Sequence, residues 1–299
     1  MAFRLSQYTP LCDDLRRLAD AELGAAIDRL QDHAGAPDPR VHAARKSIKR
    51  TRALLRLARA GLPAHRFRAH NLALGDAARG LSAARDAAVA LATFDRLVAA
   101  DDPLAALRPA LVATSLAPGE HAAALSGTHA HHTAALLQAA ATALTIVRGG
   151  LGDDLVGIRF ADLAAGLKDS YGGGRRAMRA AHGGDDPDDE AFHAWRKRAK
   201  DLWYQCQLLQ GACPPLLGAL EGMLDELGEQ LGDDHDLAVL QAAAPVSDAL
   251  RQRITARHRE LRDAAWRAGQ RIYAERPRAF VRRLRSYWQI WRSEGSTST

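Results

Sequence analysis

Two short stretches of the sequence each place one histidine among clustered cations. The first, HAARKSIKRTR, begins at His42 and contains three arginines and two lysines but no acidic residue. The second, HAWRKRAKDLW, begins at His193 and repeats the histidine and the spacing of the cations that follow it. Such side chains donate charge-assisted hydrogen bonds to anionic oxygens. No arrangement of nucleophile, base and acid stands out in the sequence, so we predict a binding protein and no enzyme.

The spacing of these cations predicts that they share one face of a helix. With 3.6 residues per turn, the polar positions of the first stretch fall within about a third of the helix circumference. Apolar residues lie on the opposite side, with Phe192, Trp195 and Ala199 in the second stretch. The predicted polar faces consist of His42, Arg45, Lys46, Lys49 and Arg56 in the first stretch and of His193, Arg196, Lys197, Lys200 and Tyr204 in the second.

A solvated amphipathic face is the simplest explanation of such a helix, and two features argue against it. Residues 39–75 contain ten Lys or Arg and no Asp or Glu, so no local acidic residue neutralises the cations. Four of the five lysines, at positions 46, 49, 197 and 200, occupy equivalent places in the two stretches. Lysine supplies a compact and flexible charge. A mixed set of His, Arg and Lys therefore suits a polymeric anion with many equivalent oxygens.

The two stretches belong to an internal repeat. LSAARDAAVAL at 81–91 matches LGDDHDLAVLQ at 231–241, in the same order and at nearly the same spacing as the basic stretches. Apolar residues recur three and four positions apart, which predicts helix nearly throughout, with breakers such as RGGLGDD at 148–154. We predict an all-α fold of two pseudo-symmetric four-helix bundles from an internal duplication. The first half covers residues 1–150 and the second half residues 151–299.

The composition indicates what kind of partner the protein binds and in which cellular compartment it lies. A net charge of +6 favours an anionic partner. Three sparse cysteines without zinc-type spacing indicate a reducing compartment. The N-terminus lacks the apolar run of a signal peptide, and the most apolar segment, at 134–147, is too short and too rich in alanine for a membrane span. We therefore predict a cytoplasmic protein with no membrane span.

The two stretches and their flanking segments resemble the CHAD family, the conserved-histidine α-helical domain. The resemblance is most specific in the second half, through FHAWRKRAKDLWYQCQLL, LGEQLGDDHDLAVL and GQRIYAERPRAFVRRLRSYWQIW. In the first half it is carried by VHAARKSIKRTRALLRL and ARDAAV. The resemblance implies two pseudo-symmetric four-helix bundles that bind inorganic polyphosphate along a basic central groove or pore.

The resemblance also implies which residues contact the polymer. The family's histidine corresponds to His42 in the first half and His193 in the second. Its Arg–Asp pair on a later helix corresponds to Arg85–Asp86, whereas the second half reads His235–Asp236. We predict that polyphosphate is bound by His42, Arg45, Lys46, Lys49, Arg52, Arg56, Arg79, Arg85, Arg175, His193, Arg196, Lys197, Lys200, Tyr204 and Arg271.

Other polar motifs are interpreted as structural. Asp86 and Asp236 occupy matching places and are predicted to orient neighbouring side chains. GDDHD at 232–236 has metal-ligand residue types that its repeat copy lacks, and THAHH at 128–132 has no carboxylate nearby. YGGGRR at 171–176 lacks the Lys–Ser/Thr of a Walker-type loop, and its glycines predict close helix packing. We predict no metal site and no cofactor.

Two alternatives to polyphosphate binding remain open. The charge also permits binding of nucleic acid, although the basic faces carry few aromatic residues for base stacking. Alternatively, the protein is a scaffold whose helical surface docks a partner on a storage granule. We predict a non-enzymatic polyphosphate-binding protein of the cytoplasm, located at polyphosphate or other storage granules, with nucleic acid as the less favoured ligand.

Overall fold

In a computed structural model, the regular elements of the described residues are all helices. The structure describes residues 2–32, 37–81, 86–115, 128–183, 189–243 and 247–296. Within these ranges the predicted all-α class is confirmed. The α-helices are α1 (Leu11–Gln31), α2 (Pro37–Leu57), α3 (Ala64–Gly80), α4 (Asp86–Leu97), α5 (Arg108–Ser115), α6 (Thr128–Asp154), α7 (Phe160–His182), α8 (Asp189–Leu209), α9 (Pro214–Ala243), α10 (Asp248–Ile272) and α11 (Pro277–Ser296). Short 3₁₀ segments cover Arg59–Gly61, Pro103–Leu107 and Gln210–Ala212.

Helices α2 and α8 bury the apolar faces that the sequence predicts. Ala44, Ile48 and Leu55 of α2 are fully buried, as are Trp195 and Ala199 of α8. Burial of these side chains supplies the hydrophobic stabilisation that holds each helix, at about 25 cal/mol for each Å² of apolar surface removed from water. The cations of both helices are consequently left on the side away from the core.

Helices α1, α2, α3 and α6 pack together in the first half. Leu15 and Leu18 of α1 and Leu144 of α6 are buried in their common core. A polar contact also fixes α3 against the end of α6, because His70 Nε2 lies 2.7 Å from Asp154 Oδ2. This group presents one side of α2 to the second half of the chain.

The second half has its own set of packed helices. Helix α8 lies between α7 and α9, and α9 packs on α10. Helix α11 packs against α7 and the Gln210–Ala212 segment, with Phe280 stacked on Tyr171 at 4.2 Å between ring centroids. The glycines of YGGGRR lie within α7, and a Cβ at Gly174 would overlap the Tyr273 side chain. The prediction that these glycines permit close packing is confirmed.

A buried charged network joins α8, α9 and α10. Asp234 is 3% exposed, and its Oδ1 lies 2.6 Å from His258 Nδ1 and accepts a hydrogen bond from Arg262 Nε at 2.7 Å. Arg262 also forms an ion pair with Asp189 at the start of α8, and its guanidinium lies 4.4 Å from the Phe192 ring centroid. Opposite charges with good hydrogen bonds offset the cost of burying this carboxylate.

Helices α2 and α8 meet where the two halves join. Gln205 Nε2 of α8 donates to the carbonyl oxygen of Ala53 at 3.2 Å and to Ser170 Oγ of α7 at 3.0 Å. Helix α7 also approaches α2 closely, since a Cβ at Gly166 would overlap the carbonyl oxygen of Leu57. Backbone and side-chain contacts therefore lock both helices at the junction.

Helices α4 and α5 pack on the second half of the chain. Phe94 of α4 and Leu111 of α5 share an apolar cluster with Leu240 of α9 and with Leu250 and Ile254 of α10. This cluster is separate from the large core that runs through the other helices. Residues from the first half thus contribute to the packing of α9 and α10.

The prediction that RGGLGDD at 148–154 breaks a helix is wrong. Helix α6 continues through both glycines, and the chain turns only at 155–159, where Gly157 has a φ of 80°. A glycine inside a helix costs only about 1 kcal/mol relative to alanine. The burial of Val147 and Leu151 in the core holds the helix together across this segment.

Helix α6 is also the described helix that is long and apolar enough to cross a membrane, over Ala134–Asp154. This apolar helical segment is longer than residues 134–147, so the prediction that the segment is too short to cross a membrane is wrong. Core helices of folded proteins satisfy the same criteria. Leu144 and Val147 are buried, and α6 packs against α1 and α3.

Candidate functional site

The N-terminal part of α2 presents its cations away from the core. His42, Lys46 and Lys49 are exposed, and Arg45 is half-buried. Arg45 Nη1 donates a hydrogen bond to the carbonyl oxygen of Leu81 at 3.1 Å, just after α3 ends. A cation is favourable at a helix C-terminus because the backbone carbonyls there carry partial negative charge. The predicted polar face is therefore a ridge that α3 supports from one side.

The C-terminal part of α2 directs its arginines toward α3. Arg52 Nε and Arg56 Nη2 both donate to Asn71 Oδ1, at 3.4 Å each. Burial and the neighbouring charge of Arg56 lower the pKa of the Arg52 guanidinium. Arg79, further along α3, is exposed and forms an ion pair with Asp76. Arg52 and Arg56 are thus packed closely enough to repel each other unless an anion lies beside them.

A cleft of about 370 Å³ opens where α2, α3, α7 and α8 meet. It brings together two residues of the predicted polar faces, Arg56 from α2 and Lys197 from α8. Arg59 and Arg198 add two further cations, so the walls carry four cations against two carboxylates. The lining residues are Arg56, Arg59, Phe67, Asn71, Gly166, Asp169, Ser170, Ala194, Lys197, Arg198 and Asp201.

One wall of the cleft carries Asp201, which forms an ion pair with Arg56. The side chain of Asp201 is 11% exposed and that of Arg56 is 24% exposed. Burial raises the pKa of the Asp201 carboxyl, and the charges of Arg56, Arg198 and Arg52 oppose that rise. Through its ion pair with Arg56, the Asp201 carboxylate acts as an internal anion among the cations of the cleft.

The two polar faces follow each other end to end. Ala53 contacts Gln205, whereas Arg56 contacts Asp201, so α2 and α8 are antiparallel where they cross. The ridge from residue 42 to residue 56 therefore leads into the cleft, and residues 201 to 193 continue in the same direction. At 1.5 Å per residue, the lengths of the two segments along their own helix axes add up to about 33 Å. This length suits an extended ligand better than a small molecule.

Glycines of α9 make room for two cations of α8. A Cβ at Gly228 would lie 2.6 Å from Lys200 Cε, and a Cβ at Gly232 would lie 3.5 Å from Arg196 Nη2. Lys200 Nζ lies 3.3 Å from Asp225 Oδ1. Both side chains consequently lie against α9, so the polar face of α8 divides between α9 and the cleft.

His193 stacks on His235 of α9. The ring centroids are 4.5 Å apart, and the ring planes differ by 28°. Burial, followed by the charge of Lys197 and the nearby His235, lowers the pKa of His193 to about 4, and Glu190 partly opposes the change. His193 is therefore uncharged at neutral pH in the protein without ligand.

The prediction that Tyr204 belongs to the exposed polar face is wrong. Tyr204 is only 5% exposed, and its ring packs edge-on against Phe3 at 6.5 Å between centroids. The chain's start covers this part of α8, since Leu5 N donates to the carbonyl oxygen of Leu208 at 2.9 Å. Helical periodicity within α8 could not reveal that a distant segment packs over Tyr204.

Other predicted contacts stand apart from the cleft. Arg271 lines a separate cleft of about 230 Å³ between α9 and α10 and does not line the α2–α8 cleft, so its contact with the ligand stays a prediction. Arg175 lies on α7, where its charge acts on the Tyr171 hydroxyl, and it does not line the α2–α8 cleft. Arg85 lies outside the described residues, as does the side chain of Asp86.

Asp236 contacts an arginine of α4 and the neighbouring His235. Its Oδ2 lies 3.5 Å from Arg96 Nη2 of α4, and its Oδ1 lies 3.7 Å from Nδ1 of His235. Arg96 also donates to Asp233 Oδ1 at 3.2 Å. Asp236 thus contacts a cation from α4 rather than a lysine of the polar face, and an orienting role stays a prediction.

The sequence did not single out several residues that the structure brings to the site. Arg59 and Arg198 line the cleft, and Asn71 bridges two arginines, yet none lies on the predicted polar arcs. The ten cations of residues 39–75 include Arg59 and were the available signal. Nothing in the sequence pointed to Asn71, because its role depends on how α3 packs against α2.

The described residues contain no group of three or more His, Cys, Asp or Glu side chains that could hold a metal ion. The GDDHD segment at 232–236 instead supplies Asp234 to the buried network and His235 to the histidine pair. The THAHH segment at 128–132 begins α6, and its side chains lie outside the described part of the chain. The chemistry available at the site is recognition of anionic oxygens by fixed cations.

Comparison with known proteins gives a family for the chain. No curated protein and no solved structure matches it significantly. A family model described as CHAD domain matches residues 21–245, which is most of the chain. The match includes both basic stretches and ends before α10, so the C-terminal resemblance expected from the sequence lies beyond it. The chain belongs to the CHAD domain family.

Proposed function

We propose that the protein binds inorganic polyphosphate along the polar faces of α2 and α8, without catalysing a reaction. The observation that carries this proposal is the cleft in which Arg56 of α2 and Arg59 of the following 3₁₀ segment meet Lys197 and Arg198 of α8. An anion that spans the cleft would relieve the mutual repulsion of these cations. Membership of the CHAD family agrees with a role related to polyphosphate.

The proposed architecture consists of two bundles that arose by duplication. The first comprises α1, α2, α3 and α6, and the second comprises α7 to α10. The predicted boundary at residues 150 and 151 lies within the last turns of α6, and α4 and α5 pack on the second bundle. Support comes from the packing of each group and from the repeated basic stretches. Because α2 and α8 are equivalent in the repeat and cross at the junction, the polymer would contact matching helices in turn.

Binding would combine charge-assisted hydrogen bonds with release of counterions from the polymer. A hydrogen bond to a charged group contributes about 1.5–3 kcal/mol, and less where the side chain is exposed. Short phosphates would fill only the cleft, whereas longer chains would also reach the ridges that begin at His42 and His193. Affinity should therefore rise with chain length and fall with added salt.

A titration with polyphosphates of increasing length at two salt concentrations tests this function. The key variant is Lys46→Glu/Lys197→Glu, which reverses one charge on each polar face. Lys168→Glu provides a matched control, because Lys168 is an exposed lysine of α7 that does not line the cleft. Length-dependent binding that survives in the control and is lost in the folded double variant supports the proposal. Equal binding by all three proteins overturns it.

The same titration separates polyphosphate from nucleic acid. The cleft contains one aromatic side chain, Phe67, and stacking of successive bases requires several exposed rings. We expect long-chain polyphosphate to displace single-stranded and duplex DNA at equal phosphate concentration. Tighter binding of DNA would favour the alternative ligand.

We propose a cytoplasmic location at polyphosphate or other storage granules, which fluorescence imaging of the tagged protein would test.

A further inference from the structure

The stacked imidazoles of His193 and His235 lie at the end of the polar face of α8. Their centroid separation of 4.5 Å and interplanar angle of 28° bring both rings to one place on the α8–α9 surface. His193 Nδ1 is buried and has no hydrogen-bond partner among the described residues. A buried ring nitrogen without a hydrogen-bond partner lowers the stability of the fold unless another group supplies that hydrogen bond. The histidine pair therefore lacks one hydrogen bond in the protein alone.

The charged groups around the pair are unevenly distributed. On α8, Lys197 and Arg196 oppose a positive charge on His193, and Glu190 favours it. On α9, Asp236 lies 3.7 Å from His235, but it also lies 3.5 Å from Arg96 of α4. Cations therefore prevail around the pair, and they disfavour a positive charge on His193 in the protein without ligand.

The second half differs from the first at this point of the repeat. By position in the repeat, His235 corresponds to Arg85, which keeps its charge at every physiological pH. A histidine at the same place can gain or lose its charge near neutral pH. At this position the repeat therefore has a permanently charged residue in its first copy and a titratable residue in its second.

We propose that the His193–His235 pair is a proton-coupled contact for phosphate oxygens, at which the pair takes one proton from the buffer when the anion binds. This inference rests on the proposed function and adds His235 to the binding residues. A phosphate oxygen beside Arg196 and Lys197 would reverse the local excess of positive charge. The proton would be shared by the two rings, so it belongs to the pair and not to either histidine.

Calorimetry with long-chain polyphosphate tests the inference. Titrations of the whole protein at pH 6 and pH 8, each in two buffers of different ionisation enthalpy, measure proton uptake directly. We expect net uptake on binding and an affinity that rises by up to about tenfold per pH unit as the pH falls. His235→Arg should bind polyphosphate at pH 8 at least as tightly as the wild type, with most of the uptake removed.

His65→Gln is the matched control, because His65 is an exposed histidine of α3 away from the pair. It should leave both affinity and uptake unchanged. Equal uptake by the wild type and a folded His235→Arg variant would overturn the inference while leaving polyphosphate binding intact. If the wild type binds no polyphosphate at either pH, the proposed function fails, and this inference fails with it.

Discussion

Arg56 of α2 forms its ion pair with Asp201 of α8, across the junction of the two halves. Both residues line the cation-lined cleft, and the pair lies between the ridges that lead to His42 and His193. Asp201 therefore joins the halves and also occupies an arginine that a phosphate group could otherwise contact. Structural stability and affinity for anions are thus opposed at this one residue.

Replacement Asp201→Asn should tighten polyphosphate binding and destabilise the fold. The variant frees Arg56 and Arg198 for phosphate oxygens, and we expect roughly tenfold higher affinity, or about 1.4 kcal/mol. Loss of one partner of a buried ion pair costs up to about 3–5 kcal/mol of unfolding free energy. Titration with polyphosphate and urea denaturation would measure the two effects.

Asp169→Asn is the control for that variant, because Asp169 lines the same cleft and is exposed. It changes the net charge equally but leaves Arg56 paired with Asp201. Equal gains in affinity from both replacements would contradict a specific role of the ion pair and point to net charge alone.

The histidine pair should make stability depend on pH. The pKa of His193 is about 4 in the folded protein, below the value near 6.5 of an unperturbed histidine. The unfolded state therefore binds a proton that the folded state excludes, and stability should fall as the pH drops from about 6.5 toward 4. His193→Gln should reduce this loss between pH 7 and pH 5 in urea denaturation. An identical loss in both proteins would contradict the assignment.

Replacement of the buried Asp234 should lower the unfolding free energy far more than replacement of the exposed Asp233. Asp234→Asn leaves Arg262 and His258 without their carboxylate, and removal of one partner from a buried pair costs about 3–5 kcal/mol. Asp233→Asn removes only the exposed contact with Arg96, which is worth at most about 1 kcal/mol. Thermal or urea denaturation of the two variants gives the comparison. A similar cost at both positions would be inconsistent with the burial of Asp234.

Replacement by alanine should affect stability differently at two glycines of α9. Gly222 has open space where a Cβ would be added, so Gly222→Ala should stabilise the helix by up to about 1 kcal/mol. At Gly228 the same Cβ would meet Lys200, which must leave its place beside Asp225. We expect Gly228→Ala to show little net stabilisation and a changed salt dependence of polyphosphate binding. Equal stabilisation at both sites in denaturation experiments would show that Lys200 does not need the gap.

Helix class and the faces of α2 and α8 could be predicted because both follow from local periodicity. Ile48 and Trp195 are buried as the 3.6-residue repeat requires, and Lys46 and Lys197 are exposed. The continuous helix through the glycines near residue 150 could not be predicted, because its packing against other helices outweighs a weak local preference.

The composition of the cleft was less accessible to sequence reasoning. Arg198 lies beyond the polar arc of α8, and it reaches the cleft because α2 and α7 pack beside it. The prediction that Tyr204 lies on the surface is wrong because the first residues of the chain fold back over α8. Both cases depend on contacts between segments far apart in sequence, which periodicity within one helix does not contain.

The placement of α4 makes the two halves depend on each other for folding. Phe94 and Val98 are buried in a cluster with Leu237 and Leu250, so separating the chain in the turn after α6 would expose apolar surface on both products. Separately produced fragments of residues 1–157 and 158–299 should therefore be poorly folded alone and recover helical structure on mixing, as in fragment complementation. Circular dichroism before and after mixing would measure this recovery.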